Sequence, residues 1–121
     1  MSFRRRMPSV ATWRWLLAIA MLALLVLSLM PATQRMPTTG WDKSNHMLGF
    51  AVLAVLGHAA WPGRIWTVLA GLLAYGGLIE VLQSFTPDRM AEWGDLLADG
   101  VGLLMGKACA LLLMRRRMSP E

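Results

Sequence analysis

Six of the seven acidic residues of this 121-residue chain are spaced so that they can meet at one level of a folded bundle. They are Asp42, Glu80, Asp88, Glu92, Asp95 and Asp99, and His46, Lys43, Gln83 and Arg89 accompany them. These residue types suit three kinds of chemistry. A histidine beside carboxylates can take a proton as general base while a carboxylate orients it or activates water. That makes His46, Glu80 and Asp99 the candidate catalytic groups. An oxygen-rich set with one imidazole suits a hard divalent cation. His46, Glu80, Asp95 and Asp99 are the candidate metal ligands, although no tight His-x-x-x-His spacing accompanies them and no other cofactor is identified. The third use is recognition. Lys43 and Arg89 would meet anionic head groups, while Asp42, His46, Glu80, Gln83, Asp95 and Asp99 would meet hydroxyls or a cation.

Spacing places these groups on helix faces. Asp42 and His46 stand at i, i+4, and Lys43 and His46 at i, i+3, so a helix starting near Asp42 carries all three on one flank. Asp42 or Ser44 could also cap that helix. Glu80 and Gln83 stand at i, i+3, with Gly76 and Gly77 one turn below. Asp95, Asp99, Gly102 and Gly106 follow i, i+4, i+7 and i+11. That stripe is polar at one end and small below, and Gly102-x-x-x-Gly106 is a close-packing pattern. The expected arrangement is a shallow pocket with Glu80 and Asp99 as floor, Asp42, His46, Gln83 and Asp95 as wall, and Lys43 and Arg89 at the rim. Two carboxylates at that depth require a counter-ion, a bound cation or a proton. The competing reading is a buried polar network that fixes the packing of short helices.

The elements that must position these groups are membrane helices. The chain is 56% hydrophobic and 16% charged, too apolar for a soluble domain of this size. Spanning a bilayer takes about 20 apolar residues, and four windows qualify: about 13–30, 45–61, 65–85 and 96–114. Short loops join antiparallel neighbours, so the expected fold is all-α, a four-transmembrane-helix antiparallel bundle. A basic segment, 1–12, precedes the membrane domain at 13–114, and a second, 115–121, follows it. Arg4-Arg5-Arg6 before the first apolar run resembles a signal peptide. The run is longer than a usual signal core, and no small-x-small site follows it, so an uncleaved span is expected.

Net charge is +5, yet the basic residues gather at the ends of apolar segments and not on a soluble face, so nucleic acid is not expected as a partner. With the N-terminus inside, Arg4, Arg5, Arg6, Arg14, Arg64 and Arg115 to Arg117 lie in the cytoplasm, and Arg35, Lys43 and Arg89 lie outside. The positive-inside rule therefore predicts a multi-pass protein of the cytoplasmic (inner) membrane with both termini inside. Trp13, Trp15, Trp61 and Trp66 would mark one interface, and Trp41 and Trp93 the other. Lys107 is the misfit in the fourth span, expected to snorkel toward the cytoplasm. The lone Cys109, in an apolar run, is expected to be a buried inert thiol.

The ordered set Asp42-Lys43-x-x-His46-x-x-x-Phe50, Glu80-x-x-Gln83, Pro87-x-Arg89 and Asp95-x-x-x-Asp99-x-x-Gly102-x-x-x-Gly106 is similar to the VanZ-like family of small bacterial integral membrane proteins. The resemblance covers about residues 41–106. The family commonly carries Asn where this chain has Asp99, so the site here holds one more acidic group. The family is named for a member associated with low-level resistance to teicoplanin. The resemblance thus implies a cell-envelope setting and a bearing on glycopeptide sensitivity. The residues leave three functions open. One is binding or modifying a lipid or lipid-linked envelope component. The second is an intramembrane enzyme built on His46 with Glu80 or Asp99. The third is a structural or accessory subunit that packs against a larger envelope complex through its glycine faces, and the partners considered also include a second copy of the chain (a homo-oligomer) and another membrane protein.

Overall fold

The computed structural model describes residues 8–30, 42–85 and 93–118, with side chains over 8–30, 45–85 and 94–113. Four helices follow one another: α1 (Val10–Leu29), α2 (Asp42–Ala60), α3 (Ile65–Ser84) and α4 (Trp93–Met118). Among the described residues there is no strand, so the all-α fold stands. α1, α3 and residues 94–113 of α4 are each long and apolar enough to cross a membrane, and α2 adds a shorter apolar stretch, Asn45–Ala60.

Local signals explain the boundaries. The Ser9 hydroxyl accepts from the Thr12 N–H at 3.2 Å and caps α1. Between α2 and α3, the Arg64 N–H donates to the Trp61 carbonyl at 3.2 Å, and Gly63 takes φ +81°. Pro62 then Gly63 is the order that a tight turn with a left-handed third residue requires. α4 runs past the expected end at Met114 to Met118. Arg115 to Arg117 stop an apolar span, but arginine is a good helix former and does not stop a helix.

Cross-helix contacts fix an up-down-up-down arrangement. The Arg14 Nε donates to the Ala60 carbonyl, so the start of α1 meets the end of α2. Phe50 packs on Tyr75, with ring centroids 6.3 Å apart, and Gly57 lies against Val68. Among the described residues α1 packs on α2 and α3, α4 packs on the same pair, and α1 and α4 do not touch. α2 is therefore the hub. Its closest partner is α4, which runs parallel to it. A Cβ on Gly102 would fall 2.3 Å from the Met47 carbonyl oxygen, and one on Gly106 2.3 Å from that of Ala51. Backbone meets backbone there because neither glycine has a side chain.

Phe50, Leu53, Ala54, Leu72 and Ile79 form the centre of the core, joined by Leu17, Leu69 and Leu103. The outside is apolar as well. Trp15, Ile19, Leu22, Leu78, Leu97, Leu104 and Leu112 are exposed, as expected of a surface that faces lipid. Cys109 lies on this exterior, contrary to the expectation of burial. In a membrane bundle the lipid side is as apolar as the inside, so an apolar neighbourhood does not imply a buried residue.

Candidate functional site

The polar groups converge at one end of the bundle. His46 lies four residues into α2, Asp99 six residues into α4, and Glu80 four residues from the end of α3. At about 1.5 Å per residue, all sit roughly 6–9 Å inside the helix ends. Arg14, Arg64 and Lys107 belong to the opposite end, with Trp61 and Trp66.

The centre of the site is a hydrogen bond of 3.0 Å between His46 Nδ1 and Asp99 Oδ1. His46 is 6% exposed and Asp99 fully buried, so the pair is shielded from bulk solvent. With Nδ1 engaged, Nε2 is the ring nitrogen left for other chemistry. The negative groups acting on the imidazole are Asp99, Asp95 and Glu80. Asp99 Oδ2 is buried with no hydrogen-bond partner. It sits over Gly76, where a Cβ would fall 2.6 Å from it and 3.1 Å from Phe50 Cζ. Gly76 thus admits the Asp99 carboxylate and the Phe50 ring into a space that any side chain would fill. A buried carboxylate oxygen without a donor is an unmet demand for a proton, a donor or a cation.

The other expected members fall as follows. Glu80 is buried, on the same side of α3 as Gly76, and Asp95 is half-buried one turn before Asp99. Gln83 is buried, but one of its amide hydrogens goes away from the pair: Nε2 donates to the Ser28 carbonyl of α1 at 2.9 Å. Gln83 therefore ties α1 to α3. Asp42 and Lys43 occupy the first turn of α2, at the same end, but their side chains lie outside the described residues, as do Arg89, Asp88 and Glu92. Gly77 has nothing within 4 Å of its Cβ position and serves no close approach within the chain.

Of the expected floor and wall, His46, Glu80, Gln83 and Asp99 are all buried. Gly76, Gly102 and Gly106 let the helices close over them. Two participants had no forecast. Ser28 is buried at this end, and the Tyr75 hydroxyl donates to the Met21 carbonyl, a second tie between α3 and α1. A serine inside an apolar span was the available signal for the first. For Tyr75 the signal was its being the sole tyrosine.

Lys107 packs on an aromatic ring. Its Nζ lies 3.7 Å from the centroid of the Trp66 ring. Arg14 stands 4.7 Å over Trp61 in the same way. A cation over an indole face is stabilised where water is scarce.

The model of one protein family, described as VanZ/LLP1, matches residues 6–114. The match takes in α1 as well as the 41–106 region that carries the motif residues. The chain belongs to the VanZ/LLP1 family. No curated protein and no solved structure matches it.

Proposed function

From membership of the VanZ/LLP1 family as premise, we propose that this membrane protein binds or modifies a lipid or lipid-linked component of the bacterial envelope at the His46–Asp99 end of its bundle. The observation that carries the reading is the buried Asp99 carboxylate, held by His46 through one oxygen and left without a partner on the other. Buried ionisable groups in a membrane helix are costly and usually mark a working site. A head group offering hydroxyls, or a cation travelling with a phosphate, answers the chemistry of Asp99, Glu80 and Asp95. Lys43 and Arg89 are the candidate rim cations. A strain lacking its own copy is complemented by the wild-type chain. Glu80→Gln and His46→Gln, at unchanged protein level, should then alter the envelope phenotype, with glycopeptide sensitivity as readout. An unaltered phenotype at normal expression would sink the reading.

The same bond favours a second, enzymatic reading. Asp99 on Nδ1 is the arrangement that orients a histidine so that Nε2 can take a proton. His46 is then the general base, Asp99 its positioning partner, and Glu80 a candidate to activate water or steady the substrate.

In the proposed setting α2 completes a fourth crossing, and the protein is an inner-membrane protein with both termini in the cytoplasm, the site facing outward. Arg14, Arg64 and Lys107 at one end, against Glu80, Asp95 and Asp99 at the other, support it. With Cys109 replaced by Ser, an introduced Ser84→Cys should react with a membrane-impermeant maleimide in intact spheroplasts. Labelling only after lysis would reverse the topology.

A further inference from the structure

The α3–α4 interface is looser than the α2–α4 interface, and it leaves a groove of about 680 Å³. Trp66, Ala70 and Leu73 of α3 form one wall, and Leu97, Gly100 and Leu104 of α4 the other. Gly100 keeps it open: a Cβ there would meet only Leu73 Cδ1, at 3.9 Å. From Leu96 to Leu104 the groove follows α4 for about 12 Å, most of one hydrocarbon leaflet of about 15 Å. At its Trp66 end stands Lys107, one turn beyond Leu103 and packed on the indole. No carboxylate among the described residues pairs with this ammonium, since the ion pair that those residues form is His46–Asp99.

We propose that the α3–α4 groove is a binding site for an anionic phospholipid, one acyl chain lying between Trp66 and Leu97 and the phosphodiester resting on Lys107. Charge complementarity selects the occupant. A cation in a membrane span, half-buried and without an acidic partner, calls for an anion. The groove beside it offers apolar surface of the length of an acyl chain. Trp66 serves both parts, as a wall of the groove and as the platform that holds Nζ at its mouth. A zwitterionic lipid fills the groove equally well but gains less from Lys107. This site lies at the opposite end from His46 and Asp99 and does not depend on what they bind.

The test is native mass spectrometry of the full chain in detergent, titrated with dioleoyl phosphatidylglycerol or dioleoyl phosphatidylcholine. Wild type should retain one phosphatidylglycerol at roughly fivefold lower lipid concentration than phosphatidylcholine, the contribution of one lysine near a charged lipid. Lys107→Gln, a change at the groove mouth and not in the core, should equalise the two, and Lys107→Arg should restore the preference. Gly100→Leu, whose Cβ has room, should fill the groove and weaken retention of both lipids. Leu22→Ala, on the exposed face of α1 and in neither site, should change neither. Equal retention by wild type, a preference that survives Lys107→Gln, or undiminished retention in Gly100→Leu would each overturn the proposal. Loss of the preference in Leu22→Ala would show that it does not depend on the groove and overturn the proposal too.

Discussion

Gly106→Ala will lower the stability of the bundle by about 2 kcal/mol, the overpacking cost of a methyl group with nowhere to go. Its Cβ would fall 2.3 Å from the Ala51 carbonyl oxygen and 2.7 Å from Ala54 Cβ. Both obstacles are backbone or next to it, so neither can rotate away, and α2 and α4 must separate. Helix propensity pulls the other way, favouring Ala over Gly by up to ~1 kcal/mol, and the packing cost outweighs it. Gly77→Ala is the internal control. Nothing lies within 4 Å of that position, so only the propensity gain remains and stability should hold or rise slightly. SDS titration of both variants in detergent micelles, followed by helicity, reads the difference. Equal behaviour would show that α2 and α4 are not in backbone contact. The Gly102 and Gly106 face of α4 is taken by α2 within the chain, while Gly71 and Gly77 of α3 face open space.

His46→Ala should be the most damaging change at the polar end, at about 3–5 kcal/mol, the cost of leaving one half of a buried charged pair alone. Asp99 Oδ2 has no partner in the wild type, and loss of His46 would strip Oδ1 as well. Asp99→Ala should cost less, about 1–3 kcal/mol, because it leaves an imidazole that can stay neutral. Asp99→Asn should cost least, since the amide keeps the shape and one bond to Nδ1. The order His46→Ala, Asp99→Ala, Asp99→Asn is thus the fingerprint of a charged Asp99. The same SDS titration checks it. A reversed order of the two alanine variants would place the proton on Asp99 in the folded protein.

How much of this was legible in the sequence depends on which residues carry information in a membrane. The helices could be read because apolar length and the Pro62-Gly63 punctuation are direct signals. The interior stripe of α4 was legible for the same reason: Asp99, Gly102 and Gly106 are the residue types that avoid lipid, and all three are buried. Apolar residues gave no such guide. Cys109 and the α3–α4 groove were unreadable because leucine is equally at home in the core and against acyl chains. The partner of His46 was left open between Glu80 and Asp99, since 53 residues separate the pair that forms. Gln83 was read as part of the pocket because its type is polar, and one of its bonds runs to a backbone carbonyl of α1, which no sequence pattern announces. Gly76 was expected to admit a neighbouring helix, and what it admits is the Asp99 carboxylate itself.

The most direct test of the polar end as a ligand site is native mass spectrometry of protein extracted gently from the membranes in which it was made, wild type beside Glu80→Ala and Asp99→Ala. A lipid or lipid-linked molecule retained by wild type and missing from both folded variants is the predicted result, and its mass names the head group. Adducts identical across all three proteins, or a bare wild type, would contradict it and leave His46 and Asp99 as a packing network.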